Sequence, residues 1–314
     1  MNIVFGPVHS RRFGRSLGVD LSPFEKQCNF DCVYCELAGH KSVDSMRKIV
    51  SVDDVIKAVK SALNVHECDV LTLTANGEPT LYPYLQELIS NLKKIVPDSI
   101  KLLLLTNGSL LWKPSVRSAM SQLDMVKFSC DSLESRAFKH IDRPHSSLKL
   151  TQIKEGIATF CKEFKGEIIA EVLFVKGIND TLEQSREIAA FLASLPIHRV
   201  DIGSIDRPPA YKVEAVSEEE LKKLAACFYA YPKLHINLPK RKDNAAESAQ
   251  KSYSQDELIG LIKRRPLSIN DAQKMLDSQS LALLYKLCQK GSIKQSSVGN
   301  NAFYQLADGL HKKL

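Results

Sequence analysis

Hydrophobic and polar positions form alternating blocks along the first two thirds of this 314-residue chain. Short, almost continuously apolar runs predict strands buried on both faces, as in a parallel sheet. Between them, apolar residues recur at helical spacing, and three of these segments begin with a capping box, at Ser51, Thr181 and Ser217. The predicted strands are Ser16–Leu21, Asp69–Thr74, Lys101–Thr106, Met125–Cys130, Glu167–Val175 and Arg199–Ile202.

Six strand–helix units in succession predict an α/β fold, either an open doubly wound sheet or a barrel or partial barrel. Ligands of both architectures bind at the C-terminal ends of the strands. Polar clusters follow five of the predicted strands: NGEPT (76–80), TNGS (106–109), SCDS (129–132), KGIND (176–180) and GSIDRPP (203–209). Turn formation explains any one cluster, but five together beside one cysteine loop predict a shared site.

The C-terminal quarter has a different pattern. Residues 239–252 are polar and without periodicity, which predicts a linker between a domain over 1–238 and a second over 253–314. The second domain shows three short helical patterns and then a predicted hairpin. This succession resembles a winged helix-turn-helix, which places its third helix in a nucleic-acid groove. A protein- or peptide-docking module of the same shape is the alternative.

Composition is that of a soluble globular protein, with 44% hydrophobic and 25% charged residues and no apolar run near the ~20 residues that span a bilayer. The N-terminus has no apolar leader, and scattered single cysteines favour a reducing cytoplasm. Charge is uneven: residues 1–239 hold 30 basic and 29 acidic side chains, whereas residues 240–314 hold 13 and 7. This excess favours a polyanionic partner, with Lys286, Lys290 and Lys294 as candidate nucleic-acid contacts.

Three cysteines lie within eight residues, as Cys28-x3-Cys32-x2-Cys35 after the first predicted strand. One interpretation is a zinc site, which needs four ligands and would use His40 as the fourth. Another is a 4Fe–4S cluster, in which three cysteines leave one iron open to a substrate or cofactor. Coincidence is the third, disfavoured because exposed clustered thiols are an oxidation liability.

The segment QCNFDCVYCEL resembles the cluster-binding loop of the radical S-adenosylmethionine (SAM) superfamily, with Tyr34 as the aromatic residue before the last cysteine. The resemblance implies a 4Fe–4S cluster on Cys28, Cys32 and Cys35, with SAM chelated at the open iron. It further implies reductive cleavage of SAM to a 5′-deoxyadenosyl radical that takes hydrogen from the substrate. Since no further four-cysteine cluster is present, the electron would come from an external flavodoxin or ferredoxin.

The strand-end clusters strengthen this resemblance. NGEPT resembles the superfamily's Gly-Gly-Glu-Pro motif, with Asn76 in place of the first glycine and with Gly77 and Glu78 retained. The resemblance implies that SAM is also contacted by three residues of the next two strand ends, namely Asn107, Ser129 and Asp131. It covers roughly residues 1–210 and implies a partial (β/α)6 TIM-type barrel.

A narrower resemblance concerns FGPVHSRRFGRSLGVDL, NGEPT and IDRPPA, which look like the wyosine-base synthase-like branch of the superfamily. That group includes an enzyme that rebuilds a tRNA guanine, and a related branch methylates an arginine in a protein. The preferred hypothesis is therefore modification of a macromolecule, with tRNA favoured. The alternatives are modification of a protein side chain or small metabolite, and, from another class, a zinc-binding regulator that binds DNA.

Four arginines are candidates for binding a substrate carboxylate or phosphate. Arg11, Arg12 and Arg15 precede the first predicted strand, and Arg207 lies in the RPP segment after the sixth. Guanidinium groups bind such anions through two parallel hydrogen bonds. A solvated basic arm is the alternative interpretation of the first three.

Overall fold

The computed structural model describes residues 3–10, 12–238, 250, 252–299 and 301–307. Within these residues, eight strands form one sheet whose neighbours follow chain order, with the first pair antiparallel and every later pair parallel. The strands are β1 (Val4–Ser10), β2 (Gly14–Asp20), β3 (Val70–Thr74), β4 (Lys101–Thr106), β5 (Met125–Ser129), β6 (Glu167–Phe174), β7 (Arg199–Ser204) and β8 (Ile236–Asn237). A sequential order is that of a partial barrel, because a doubly wound sheet reverses its order at a switch point.

Helices connect the parallel strands and cover the sheet. Ser51, Thr181 and Ser217 cap the helices that follow them, as predicted, with the full capping box formed at the last two. A short 3₁₀ turn, Pro79–Leu81, follows the NGE segment. The helices of this part are α1 (Val52–Val65), α2 (Leu85–Ile95), α3 (Pro114–Met120), α4 (Ser135–Ile141), α5 (Leu150–Glu163), α6 (Leu182–Ala193) and α7 (Glu218–Tyr229).

The six predicted strands correspond to β2–β7, whereas β1 and β8 were not predicted. β1 contains Pro7, which is tolerated because β1 is an edge strand and its register with β2 shifts between Phe5 and Val8. β8 has only two residues, too few for a periodic signal.

The C-terminal unit comprises α8 (Gln255–Arg264), β9 (Leu267–Ser268), α9 (Ile269–Met275), α10 (Ser278–Gln289), β10 (Ile293–Val298) and β11 (Asn301–Leu306). Its three strands form an antiparallel sheet in the order β10-β11-β9. Leu258, Leu284 and Tyr304 belong to an apolar cluster of its own. The three predicted helices and the hairpin are confirmed. Of the predicted linker 239–252, the structure describes only residues 250 and 252.

A buried charge cluster joins the middle strands of the large sheet. Lys127 of β5 pairs with Glu171 of β6 and lies 3.3 Å from the carboxylate of Asp201 in β7. Burial alone would raise the pKa of Glu171 and of Asp201, but the charges of Lys127 and Arg12 outweigh it, so both pKa values lie below their ordinary 4.5 and 3.8. Both carboxylates are therefore stabilised in the folded state.

Replacing Lys127 with methionine is expected to lower the free energy of unfolding by about 1–3 kcal/mol at neutral pH, because Glu171 and Asp201 lose one cation while Arg12 and Arg199 remain beside them. The lowered pKa values stabilise the fold above the ordinary values, and this contribution is lost as pH falls through the native ones. The gap between the two proteins should therefore close below about pH 4. Urea unfolding across pH measures it, with Lys93→Met at the exposed Asp124 pair as control. A gap independent of pH would contradict the ion-pair explanation.

Candidate active site

The cysteine loop begins directly after β2, at the C-terminal edge of the sheet. Gln27, which precedes the first cysteine, anchors it with both ends of its side chain. Its amide nitrogen donates to Ser22 Oγ at 2.7 Å and to the Lys48 carbonyl at 2.9 Å, and its amide oxygen accepts from Arg47 N at 2.7 Å. Gln27 is 3% exposed. These hydrogen bonds fix the position of the chain just before Cys28.

Main-chain hydrogen bonds tie this loop to NGEPT. Gln27 N donates to the Asn76 carbonyl at 2.9 Å, and Glu78 N donates to the Gln27 carbonyl at 3.0 Å. Between them, Gly77 has φ +139°, and a Cβ there would lie 1.8 Å from the Gln27 carbonyl oxygen. Glycine is therefore required both by conformation and by the closeness of the two segments.

The loop is also tied to TNGS. Asn29 donates from its amide nitrogen to Ser109 Oγ at 2.7 Å and accepts from Asn107 Nδ2 at 2.8 Å. The same Asn107 nitrogen lies 3.8 Å from Cys28 Sγ. These contacts bring the cysteine loop together with two of the five strand-end clusters that were predicted to share a site.

Glu78 is 1% exposed, and its carboxylate is occupied by protein donors. Oε1 accepts from Thr80 N at 3.0 Å and Thr106 Oγ1 at 2.6 Å, and Oε2 accepts from Asn107 N at 2.7 Å. Burial nevertheless raises the pKa of Glu78. The family resemblance implied that Glu78 is a SAM contact. In this structure its carboxylate accepts hydrogen bonds from both NGEPT and TNGS and so joins the two segments.

The three thiols are half-buried, and each has a different neighbour. Lys26 Nζ donates to Cys35 Sγ at 3.3 Å, and Cys32 Sγ donates to Asp142 Oδ1 at 3.4 Å. Burial and then the charge of Glu78 raise the pKa of Cys28 to about 12, and burial raises that of Cys32 as well. Thiolates in such surroundings need a positively charged partner, so the soft donor set fits an iron–sulfur cluster.

The zinc alternative required His40 as a fourth ligand. Its Nε2 lies 3.3 Å from Cys28 N and 3.1 Å from the Cys28 carbonyl oxygen, so the ring contacts the main chain of the loop. Among the residues that the structure describes, no three His, Cys, Asp or Glu side chains, the three cysteines included, lie close enough to hold a single metal ion. This finding bears on a zinc site rather than on a 4Fe–4S cluster, in which each thiolate binds a different iron.

Tyr34 and Asp131 are brought together at the ends of β5 and β6. The Tyr34 hydroxyl donates to Asp131 Oδ2 at 2.5 Å, and Leu173 N donates to Oδ1 at 2.7 Å. Burial raises the pKa of Asp131 to about 7. Ser129, the last residue of β5, is half-buried and lies two residues before Asp131.

The contacts that hold the cysteine loop from two later segments of the chain were not predicted from the sequence. The tetrapeptide IDRP occurs twice, as 141–144 and 205–208, and Ile141 and Ile205 pack in one apolar cluster with Val33 of the loop. Arg143 lies 3.7 Å from Asp31, and Arg207 lies 3.3 Å from Glu36. The repeated tetrapeptide is visible in the sequence and could have indicated that these two segments contact the loop in the same way.

The other predicted arginines lie elsewhere. Arg15 pairs with Glu67 at 2.7 Å and Asp69 at 3.1 Å, where β2 and β3 begin, so the length of β2 separates it from the cysteine loop. Arg12 pairs with Glu171 at 2.8 Å within the buried charge cluster. Arg12 and Arg15 thus both pair with carboxylates of the protein away from the cysteine loop. This arrangement differs from the prediction that they bind an anionic group of the substrate. Arg11 lies outside the described residues.

The predicted nucleic-acid contacts lie on the C-terminal unit. Lys286 in α10 and Lys290 at its C-cap are exposed, and Lys294 of β10 is half-buried. Among the residues described, no helix is long and apolar enough to cross a membrane.

A partial barrel with a three-cysteine loop at the C-terminal edge of its strands defines a class of SAM-dependent enzymes. Residues 23–204 match the family model of the Radical SAM superfamily, and the chain belongs to it. It is 45% identical over 304 residues to a UPF0026 protein of Helicobacter pylori, with 96% of this chain and 97% of that protein covered, and so belongs to the UPF0026 family.

More distant proteins are similar to parts of the chain. A "Probable GTP 3',8-cyclase" of Methanococcus aeolicus is 28% identical over 219 residues, which cover 69% of each chain. The structure of Streptococcus suis SuiB bound to precursor peptide SuiA superposes with a TM-score of 0.56 at 16% identity, over 71% of this chain and 48% of that one. The chain is thus a radical SAM enzyme, of a superfamily that uses a 4Fe–4S cluster and SAM. The wyosine-base synthase-like branch is not confirmed.

Proposed function

We propose that Cys28, Cys32 and Cys35 hold the 4Fe–4S cluster and that SAM binds between this loop and the strand ends behind it. The proposal rests on the hydrogen bonds that join the cysteine loop to NGEPT and TNGS. When bound, the cluster supplies the electron that cleaves SAM into a radical able to take hydrogen from a substrate. The chain's own part is to hold the thiols, orient SAM and exclude water.

The seven residues proposed for the SAM site lie around the cysteine loop. Asn76, Gly77, Asn107 and Ser129 are proposed to contact SAM through carbonyl, amide or hydroxyl oxygens, which can accept a second hydrogen bond beside those that they make to the protein. Glu78, Tyr34 and Asp131 bond to protein partners and hold these segments in place.

We further propose that the substrate is a macromolecule, with tRNA preferred. The basic excess of residues 240–314 supports a polyanionic partner. The three helices and small sheet of the C-terminal unit support a winged helix-turn-helix, with α10 as the helix that enters a groove. Arg207 supports phosphate binding near the cysteine loop, since its buried Nε has no hydrogen-bond partner among the residues that the structure describes.

Mass spectrometry of tRNA nucleosides from a strain that lacks the protein tests this substrate class. We expect one modified nucleoside to be missing and to return when the gene is restored. An unchanged nucleoside profile would favour the second candidate, a protein side chain or a small metabolite. The similarity to a protein named as a GTP cyclase supports that candidate, and deuterium transfer from labelled substrates into 5′-deoxyadenosine would identify it.

The remaining proposals concern redox partner and metal. An external flavodoxin or ferredoxin in a reducing cytoplasm would supply the electron. Metal analysis of anaerobically purified protein separates the proposal from a zinc-binding DNA regulator: iron and sulfide support the enzyme, whereas zinc without iron supports the regulator.

Neutralising Lys286, Lys290 and Lys294 together with glutamine is expected to weaken tRNA binding and flatten its salt dependence. Each lost phosphate contact removes about 0.9 from the slope of log binding constant against log salt, so a fall of about 2–3 is expected. Filter binding across a salt series measures the slope. The matched control is Lys222→Gln with Lys223→Gln on α7, where both side chains pair with glutamates. Equal slopes in all three proteins would contradict a role of the C-terminal unit in binding tRNA.

A further inference from the structure

One buried carboxylate joins the partial barrel to the C-terminal unit. Asp20, the last residue of β2, is 2% exposed. Its Oδ1 accepts from Ser22 N at 3.0 Å and from Asn76 N at 2.8 Å, and its Oδ2 accepts from Arg264 Nε at 2.9 Å. Asp20 therefore contacts both NGEPT and α8.

Arg264 is held in this position from several sides. Its side chain is 16% exposed, and its guanidinium lies over the ring of Phe5, 5.4 Å from the centroid. Nη1 also donates to the Gly260 carbonyl at 3.2 Å, one turn earlier in α8. A buried carboxylate that loses such a cation is left uncompensated, which is strongly unfavourable.

The atom that Asp20 holds lies close to the proposed SAM contacts. Asn76 N is fixed by Asp20, the Asn76 carbonyl accepts from Gln27 N, and Gly77 leaves no free space against Gln27. Cys28 follows Gln27 directly. A shift of Asp20 would therefore move the main chain at the NGE turn and, with it, the entry of the cysteine loop.

The C-terminal unit has a second contact with this region. Val298, the last residue of β10, packs against the apolar cluster that contains Val33 of the cysteine loop. The unit thus contacts the site region at two places, through an ion pair and through an apolar side chain.

We propose that Arg264 is a positioning residue for SAM, and that the C-terminal unit is in this way a working part of the SAM site. Through Asp20, Arg264 sets the main chain of Asn76 and Gly77. This inference rests on the proposed function, because it takes the NGE turn as a SAM contact.

The test measures reductive SAM cleavage without substrate in the full-length, anaerobically reconstituted protein. For Arg264→Gln we expect the KM for SAM to rise roughly 10-fold or more, in the range found when groups that orient a metal site are lost. Iron content should stay near that of the unchanged protein. Arg264→Lys, which keeps the charge, should recover part of the affinity. Asp20→Asn combined with Arg264→Gln should raise KM no further than the larger single effect, because both act through one contact.

Arg15→Gln is the matched control, because Arg15 pairs with Asp69 at the opposite end of β2. Its KM for SAM should change less than about twofold. The inference is overturned if Arg264→Gln and Arg264→Lys bind SAM as tightly as the unchanged protein, or if Arg15→Gln raises KM equally. If the unchanged protein itself retains no iron or cleaves no SAM, the proposed function fails instead. Should Arg264→Gln not fold, Asp20→Asn, which removes the same ion pair, takes its place in the comparison.

Discussion

Replacing Cys32 with alanine is expected to abolish both iron retention and SAM cleavage in anaerobically reconstituted protein. A 4Fe–4S cluster takes one thiolate per iron, and the loop offers three, so the loss of one exposes a second iron to solvent. We expect SAM cleavage to fall by more than roughly 100-fold, beyond the loss seen when groups that merely orient a ligand are removed. Iron and sulfide content, together with the yield of 5′-deoxyadenosine, measure the effect.

Cys227→Ala provides the matched control. Cys227 is also half-buried, but it lies in α7, where its Sγ is 3.9 Å from the Leu182 carbonyl. This variant should retain iron and activity at the level of the unchanged protein. Retained SAM cleavage in Cys32→Ala would refute the ligand assignment, and equal losses in both variants would point to general damage by cysteine replacement.

The parts of the fold that follow from local pattern could be predicted from the sequence. β4 has the predicted bounds because its four consecutive leucines form an apolar run of strand length, as expected of a strand covered on both faces. Ser254, Ser268 and Asp277 cap the three C-terminal helices because a side-chain oxygen at that position satisfies free N–H groups. β1 was not predicted because its pairing with β2, and not its own pattern of residues, makes it a strand.

The site shows the same division between local and long-range information. The cysteine spacing and the strand-end clusters are local, and the structure brings them together as expected. What a side chain does once it arrives depends on neighbours that are far away in sequence. Glu78 accepts from Thr106 and Asn107, and Arg15 pairs with Asp69, and neither contact can be inferred from the residues around it in sequence.

Asp20 and Arg264 illustrate the limit most clearly. They are 244 positions apart, and an aspartate at a strand end or an arginine at a helix end is unremarkable in any sequence. Only the packing of the C-terminal unit against β2 makes them a pair. A buried ion pair between distant segments leaves no periodic signal, so composition and spacing cannot reveal it.

Gly77→Ala is expected to cause the second large loss. The added Cβ would lie 1.8 Å from the Gln27 carbonyl oxygen and 2.4 Å from its carbonyl carbon, at a φ of +139° that L residues rarely adopt. Backbone strain of about 1–3 kcal/mol and overpacking of a similar size would push the NGE turn away from the cysteine loop. We therefore expect SAM binding to weaken by at least roughly 100-fold, measured by equilibrium dialysis with the reconstituted protein.

Gly291→Ala separates this explanation from a general intolerance of alanine for glycine. Gly291 follows α10, also has a positive φ (+70°), and a Cβ there would meet nothing within 4 Å among the residues that the structure describes. Its alanine variant should bind SAM and retain iron as the unchanged protein does. Thermal unfolding of both variants then shows how the strain is relieved. An unchanged melting temperature with lost SAM binding means that the turn has moved. A lower melting temperature means that the hydrogen bonds between the cysteine loop and NGEPT have broken. Undiminished SAM binding by Gly77→Ala would mean that the close contact between Gly77 and Gln27 is not needed to form the site.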